Sequence, residues 1–356
     1  MAICSAFPSS AFPSSTNNFS CQSLISFQDK KMLSHPIHQA NEKSPYGDLT
    51  REEFYKKHQI LHQERFMFNK KNMRIFTQSW RPDDPSSQLE GIVAMVHGYS
   101  SESSWLNELT AIAIAKAGFL VCALDLQGHG YSDGLRGHIP NIRYVVSDCI
   151  MFFDSVKANS PNLPAFLYGE SLGGAISILI CLKQGYTWDG FILSGAMCGI
   201  SAKFKPMWPL EKLLPLAALF APTWKVVASK SVSSRSYKEE WKRRLVANNP
   251  NRPKSGKPPA ATALEFLRVC EYIRMHCYDL GVPFLMVHGE DDFACDFRSA
   301  CFAYESASSK DKTLKIFPGM WHMLVGEPKE NVDLVFGTIL TWLRDHAAKP
   351  KPKPKP

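Results

Sequence analysis

The sequence of 356 residues has no apolar run long enough to cross a membrane. The longest apolar stretch in its middle part, residues 213–221, is interrupted by Pro215 and followed by Pro222. The first 28 residues contain no Asp and no Glu, and they lack the continuous apolar segment of a secretory signal. The sequence therefore predicts neither a membrane-spanning helix nor export through a signal peptide.

No pair of cysteines has the C-x-x-C spacing, although the chain contains ten cysteines. Several of them, such as Cys122, Cys181 and Cys198, fall inside apolar runs, as buried thiols do. This pattern argues against a disulfide scaffold and against a structural zinc site. We expect a cytoplasmic protein that binds no metal and needs no cofactor.

Strong net charge is also missing from the body of the chain. The formal charge is +8, but four lysines lie in the alternating Lys-Pro tail, residues 349–356, and subtracting them leaves +4. A charge this small does not predict a nucleic-acid partner. We expect the tail to be extended and disordered. Residues 1–33 are expected to be a disordered leader, with a plastid transit peptide as the alternative, which the absence of arginine argues against.

Strand-like and helix-like runs alternate along the rest of the chain. This alternation predicts an α/β protein with a mostly parallel sheet and helices on both faces. The predicted strands are 73–80, 91–97, 119–126, 165–168, 190–196, 282–288 and 313–317. The predicted helices are 104–117, 142–158, 172–184, 296–308 and 331–347.

One interval, residues 198–278, contains no predicted strand and is too long for a plain loop. We interpret it as an inserted helical cap that divides the core into residues 34–197 and 279–348. Its first part is strongly apolar, and we expect its side chains to hold an apolar part of a ligand or to pack the cap onto the core. The same surface is a candidate for peripheral contact with a membrane. The side chains expected to bind substrate are Met207, Trp208, Leu216 and Phe220.

A G-x-S-x-G sequence follows the apolar run 165–168 and precedes a predicted helix. Its residues are Gly169-Glu170-Ser171-Leu172-Gly173. Small residues on both sides of Ser171 allow a sharp turn from strand to helix, which presents the serine hydroxyl at the end of the sheet. The sequence therefore predicts a nucleophile at Ser171, with the first N–H groups of the helix beside it.

An acid and a base follow in the order that this arrangement requires. The predicted strand 282–288 leads into Asp291 and Asp292, and the predicted strand 313–317 leads into His322. A serine hydroxyl is a weak nucleophile unless an imidazole accepts its proton, and the imidazole needs a carboxylate that fixes its tautomer. Ser171 and His322 are therefore candidate catalytic residues, and either aspartate is a candidate for the carboxylate.

Over residues 34–348 the chain resembles the plant monoacylglycerol lipase-like α/β-hydrolases, a family that includes the caffeoylshikimate esterases. The motifs that carry the resemblance are Val96-His97-Gly98-Tyr99, the run from Asp125 to Gly134, the serine turn, His288-Gly289 with Asp292, and Trp321-His322. The resemblance implies an α/β-hydrolase fold with an inserted cap. It also implies Ser171 as nucleophile, His322 as base and then acid, Asp292 rather than Asp291 as the carboxylate, and an oxyanion hole formed by the backbone N–H groups of Tyr99 and Leu172.

Function is then expected to be the hydrolysis of a monoacyl ester, a monoacylglycerol or a lysophospholipid, through an acyl-serine intermediate. One alternative is a phenolic ester such as caffeoyl shikimate, whose ring would stack on Trp208, Trp224 or Trp241. Another is a receptor-like protein that binds a ligand on a hydrolase fold. An acyltransferase is disfavoured because the chain has no His-x-x-x-x-Asp sequence. Two departures from the family, Ser100 and the segment 293–295, bear on substrate preference, and the oligomeric state is left open.

Overall fold

One sheet of eight strands carries the structure. The computed structural model describes residues 34–84, 86–202, 210–225, 236–252 and 257–349, with the backbone alone for residues 210 and 211. The strands are β1 (Ile60–Phe68), β2 (Arg74–Pro82), β3 (Gly91–Val96), β4 (Phe119–Leu124), β5 (Ala165–Glu170), β6 (Gly190–Ser194), β7 (Phe284–Gly289) and β8 (Lys312–Phe317). Their order is β1-β2-β4-β3-β5-β6-β7-β8. The first two pairings are antiparallel and the others are parallel.

Helices follow most of the parallel strands and cover the sheet. They are α1 (Arg51–His58), α2 (Leu106–Ala115), α3 (Ile142–Ala158), α4 (Leu172–Gln184), α5 (Leu210–Phe220), α6 (Glu240–Ala247), α7 (Ala260–His276), α8 (Phe297–Ser306) and α9 (Lys329–Ala347). Every residue of β3, β5, β6 and β7 is buried, as expected for parallel strands that are covered on both faces. The expected α/β-hydrolase fold class is confirmed.

Two apolar layers, one on each face, hold the helices to the sheet. Alternate residues of a strand point to opposite faces, so Leu167 lies in one layer while Phe166 and Tyr168 lie in the other. The second layer also contains residues 320, 323 and 324, from the loop between β8 and α9. This loop, residues 318–328, carries His322 and is called the His322 loop below.

The first strand and the first helix were not predicted. In β1 only Ile60 is buried, because β1 is an edge strand, and its mixed sequence has no clear alternation. Helix α1 begins with a capping box in which Thr50 and Glu53 bond to each other's backbone N–H groups. That sequence signal was present, but the helix has only eight residues and few apolar ones.

Helices α5, α6 and α7 lie between β6 and β7, where the cap is predicted, and no sheet strand lies among the described residues of that interval. The proposed cap boundaries at residues 198 and 278 stay predictions. Leu216 and Phe220 lie on α5 with exposed side chains, whereas Met207 and Trp208 lie outside the described residues. In the described parts of the chain, no helix is long and apolar enough to span a membrane.

The two chain ends belong largely to the parts that are not described. The predicted leader, residues 1–33, and all of the predicted tail after Lys349 lie outside the described residues. Lys349 itself is described, and its Nζ lies 2.6 Å from Asp311 Oδ2. The first residue of the predicted tail is thus held by an ion pair.

Candidate active site

Ser171 occupies a sharp turn between β5 and α4. Its φ of +54° lies in the left-handed region that few residues other than glycine adopt. The turn depends on close packing, since a Cβ atom at Gly169 would overlap the carbonyl of Gly173, and a Cβ atom at Gly173 would overlap the carbonyl of Val96. Only glycine fits at positions 169 and 173, and the strained turn holds the serine hydroxyl at the carboxyl end of the sheet.

His322 lies within hydrogen-bond distance of that hydroxyl. Its Nε2 atom is 3.0 Å from Ser171 Oγ, and its Nδ1 atom is 2.7 Å from Asp292 Oδ2. The Asp292 carboxylate accepts a hydrogen bond from the Nδ1–H group, and in this tautomer Nε2 is unprotonated and able to accept a proton from the serine. The three predicted residues, separated by up to 151 positions in the sequence, are therefore joined in one chain of hydrogen bonds.

Asp292 is the aspartate that the fold brings to His322. Its Oδ1 atom accepts hydrogen bonds from the backbone N–H groups of Ala294 and Cys295, at 2.7 and 2.9 Å. Its Oδ2 atom is also 3.1 Å from His288 Nε2. Asp291 is exposed to solvent, and its own N–H bonds to the carbonyl of Met320. The structure thus separates two neighbouring aspartates that the sequence left as alternatives.

The buried charges of this site stabilise one another. Burial alone would raise the pKa of Asp292, but the charge and hydrogen bond of His322 and the hydrogen bond of His288 hold that pKa well below its usual range. Burial likewise opposes protonation of His322, but Asp292, with a smaller contribution from Glu170, raises the pKa of His322 above its usual value. An imidazolium that forms at His322 would therefore be stabilised.

The loop after β3 approaches the serine from the other side. A Cβ atom at Gly98 would lie 3.2 Å from the Cβ of Ser171, so the backbone of this loop lies against Ser171. His97 fixes the loop, because its Nε2 accepts a hydrogen bond from the N–H of Leu126 and its Nδ1 lies 2.8 Å from the carbonyl of Gly98. Burial lowers the pKa of His97 to about 4, so this imidazole stays neutral. Tyr99 follows in this loop, and Leu172 is the first residue of α4.

Helix α6 holds the His322 loop from the cap side. Lys242, on α6, is buried, and its Nζ donates hydrogen bonds to the carbonyls of Val325 and Glu327, at 2.9 and 2.6 Å. The carboxylate of Glu327 in turn accepts a hydrogen bond from the N–H of Trp321, beside His322. This contact is not predicted from the sequence, because a lysine in a polar, basic segment gives no sign that it is buried.

Helix α5 presents apolar side chains to solvent rather than to this site. Leu213, Leu216 and Leu219 are at least half exposed, and Phe220 is 80% exposed. Trp224, just after the helix, is also exposed, whereas Trp241 on α6 is partly buried against the core. Binding of substrate by Leu216 and Phe220 stays a prediction.

The sulfur atom of Cys295 also lies close to Asp292 and His322. Asp292, Cys295 and His322 offer oxygen, sulfur and nitrogen atoms within 4.8 Å of one another, a donor set that a metal ion could use. The described contacts already use two of these groups for each other, since Asp292 and His322 share a hydrogen bond. Burial raises the pKa of the Cys295 thiol well above its usual value, which keeps that thiol protonated. The arrangement therefore fits proton transfer between side chains better than metal binding.

The sheet order, the serine turn and the strand-end acid and base define an α/β-hydrolase with a Ser-His-Asp site. The chain belongs to the Hydrolase_4 family (serine aminopeptidase, S33), whose match covers residues 87–329. It is 34% identical to the caffeoylshikimate esterase of Arabidopsis thaliana over 310 residues, which are 85% of this chain and 92% of that protein.

Further relatives agree with this assignment. The chain is 28% identical to the human monoglyceride lipase over 79% of this chain and 90% of that enzyme. The crystal structure of a soluble variant of the Saccharomyces cerevisiae monoglyceride lipase shares the fold, with a TM-score of 0.71 and 18% identity, over 80% of this chain and 96% of that one. Family and relatives together make this protein a carboxylic ester hydrolase, which confirms the expected class of activity.

Proposed function

We propose that Ser171, His322 and Asp292 form the catalytic triad of a serine ester hydrolase. The observation that carries the proposal is the chain of hydrogen bonds from Ser171 Oγ through the two imidazole nitrogens of His322 to Asp292 Oδ2. Asp292 fixes the tautomer in which Nε2 can accept the serine proton, and it stabilises the imidazolium that results.

The reaction proceeds in two halves. Ser171 Oγ attacks the ester carbonyl carbon while its proton moves to His322 Nε2, and the carbonyl oxygen becomes an oxyanion. The N–H groups of Tyr99 and Leu172 are the donors we propose for that oxyanion. The imidazolium then protonates the leaving alcohol, which departs and leaves an acyl-Ser171 ester. Water, activated by His322, attacks that ester, the acid is released, and the proton returns to Ser171.

An amphiphilic monoacyl ester, a monoacylglycerol or a lysophospholipid, is the substrate class we propose. The relatives named monoglyceride lipase and monoacylglycerol lipase support it. The apolar exposed side chains of α5 also support it, because such a surface suits peripheral contact with a lipid layer from which the substrate is taken. Substrate binding by the predicted cap residues belongs to this proposal.

A phenolic ester is the second candidate substrate. The relative at 34% identity is named caffeoylshikimate esterase, and this observation favours an aromatic acyl group. In this chain Trp224 offers an exposed aromatic ring near the end of α5. The reaction at Ser171 would be the same for both substrates, so the choice depends on the surface around the triad.

The test compares the full chain with a Ser171→Ala variant on a monoacylglycerol, a lysophospholipid and caffeoyl shikimate. We expect turnover of a lipid ester by the wild type, its loss in the variant, and labelling of the wild type alone by a fluorophosphonate. Faster turnover of caffeoyl shikimate would favour the phenolic ester. Equal activity of wild type and variant would refute the role of Ser171. A folded wild type that turns over no ester and takes no label would point to the receptor-like alternative.

A further inference from the structure

Glu170 is a buried carboxyl group that the triad mechanism does not use. It is the last residue of β5 and directly precedes Ser171. Because side chains alternate along a strand, Glu170 points to the same face as Tyr168 and Phe166. Those two residues belong to the apolar layer that also contains Met320 and Met323 of the His322 loop. The carboxyl group of Glu170 therefore lies at the end of this layer, on the side of the sheet where the His322 loop packs.

The described residues around this carboxyl group do not supply all the hydrogen bonds that its oxygens can accept. Glu170 is 4% exposed, and among the described residues its Oε1 atom has no hydrogen-bond partner. A buried carboxyl oxygen without a partner is costly, since it loses its hydration and gains no hydrogen bond in return. A residue with a structural role alone would be expected to bond to its neighbours, so this unpaired oxygen needs another explanation.

The charged and titratable groups that face Glu170 identify what it acts on. Glu170 interacts electrostatically with His322 and with two tyrosines, Tyr168 on β5 and Tyr237 in the segment that precedes α6. His322 itself is faced by Asp292 and by Glu170. Both tyrosines have their pKa raised, so they stay neutral near pH 7. In this set His322 is thus the group that gains a positive charge in the reaction.

We propose that Glu170 is a second carboxylate for His322, a positioning residue that stabilises the imidazolium in addition to Asp292. The proposal rests on the triad roles given above. When the proton of Ser171 moves to His322, the imidazolium forms close to two negative groups instead of one. Asp292 bonds to it directly, whereas Glu170 acts through its charge across a buried, low-dielectric space.

Glu170 is ionised only in part near neutral pH, which makes its effect measurable. Burial raises the pKa of Glu170 to about 7, while the charge of His322 acts in the opposite direction. Glu170 and His322 therefore titrate as a coupled pair, and the acid side of the activity profile belongs to both groups. Removing the carboxylate should lower the pKa of His322, so activity should persist to lower pH.

The test measures kcat/KM of the full chain against pH with p-nitrophenyl butyrate, for the wild type, Glu170→Gln and Glu102→Gln. Glu102 is a matched control: it is buried, its Oε2 lacks a partner among the described residues, and burial with the charge of Asp125 raises its pKa to about 7. The groups that interact with Glu102 are Asp125, Asn249, Asn251 and Arg136, and His322 is not among them.

We expect Glu170→Gln to move the midpoint of the acid limb down by about one pH unit and to lower the plateau about tenfold. Glu102→Gln should leave the midpoint in place. A Glu170→Asp variant keeps the charge and should keep the midpoint near that of the wild type, which also provides a reading if the glutamine variant folds poorly. The rate of fluorophosphonate labelling should follow the same pH dependence, because it reports the activation of Ser171 alone.

Two results would overturn the proposal: an unchanged midpoint in Glu170→Gln, or equal shifts in the two glutamine variants. The first would mean that Glu170 does not act on His322, and the second that any buried charge has this effect. Failure of the triad itself looks different, because Ser171→Ala would then keep its activity and the wild type would not be labelled.

Discussion

The site at the ends of the strands and helix α5 differ in how far their side chains are exposed to solvent. After β7 and β8, Asp292 and His322 are buried, Ser171 after β5 is partly buried, and each is held by at least one hydrogen bond. On α5 four large apolar side chains, Leu213, Leu216, Leu219 and Phe220, are at least half exposed, whereas Leu214 is buried. The sheet fixes the positions of the Ser171, His322 and Asp292 side chains, and in the proposed function the exposed surface of α5 contacts the substrate or its lipid layer.

The boundary between the two regions passes through α6. This helix lies in the interval of the predicted cap, yet its Lys242 and the residues before it bond to the backbone of the His322 loop. Met323, next to His322, donates its N–H to the carbonyl of Ser236 just before α6. One part of the cap interval therefore holds the His322 loop, whereas α5 presents exposed apolar side chains.

The largest effect on kcat should come from a substitution at the site on the strand ends. Asp292→Asn removes the acceptor of the Nδ1 proton, so His322 would adopt the tautomer that cannot accept the serine proton. We expect kcat to fall about 10⁴-fold while the protein stays folded. Asp291→Asn changes the neighbouring, exposed carboxylate and is the matched control, with activity close to that of the wild type. Equal losses in the two variants, measured with a soluble ester, would contradict the assignment.

Loss of the contact between α6 and the His322 loop should lower activity less than loss of a triad residue. Lys242→Met keeps the length of the side chain but leaves the carbonyls of Val325 and Glu327 without their buried donor. We expect a loss of about 2 kcal/mol in the free energy of unfolding, measured by urea denaturation, and a lower kcat because the His322 loop is held less firmly. Lys238→Met removes a more exposed lysine that bonds to Gly319 and should cost less. If Lys238→Met costs more, the buried contact is not what holds the loop.

Removing apolar area from α5 should change activity mainly on lipid surfaces. Phe220→Ser deletes the most exposed large side chain of the helix, and we expect about a tenfold loss of monoacylglycerol hydrolysis in phospholipid vesicles. Hydrolysis of a soluble short-chain ester should change much less, because such an ester has no lipid layer to be taken from and little apolar chain for Phe220 to hold. Phe68→Ser, at an exposed position of the edge strand β1, is the control. A loss on both kinds of substrate would mean that α5 supports the site rather than the surface.

Features that depend on a local residue pattern are predicted from the sequence, whereas the burial of single charged residues is not. Helices α3 and α4 have the predicted bounds, and the serine turn has a pattern of residue types that few other structures require. Asp292 could not be separated from Asp291 by chemistry alone, because burial at a strand end depends on the packed sheet. Lys242 and Glu170 could not be found either, since a charged residue reveals its burial only when distant segments come together.

A last prediction concerns Glu102, which connects the loop after β3 to the residues that follow α6. This carboxyl group lies in the loop after β3, and its hydrogen-bonding neighbours are Asn249 and Asn251, just beyond α6. Its pKa of about 7 in the folded protein, raised first by burial, exceeds the ordinary value of 4.5. Between these two pH values the unfolded chain releases a proton that the folded protein keeps, so stability falls as the pH rises and stays lower above pH 7.

The Glu102→Gln variant has no proton to lose at this position. It should raise the melting temperature by roughly 3 °C at pH 8 but hardly at pH 4.5. Glu170 titrates in both proteins and cancels from the comparison. A melting temperature at pH 8 below that of the wild type would mean that the ionised carboxylate is what holds Asn249 and Asn251 to the core.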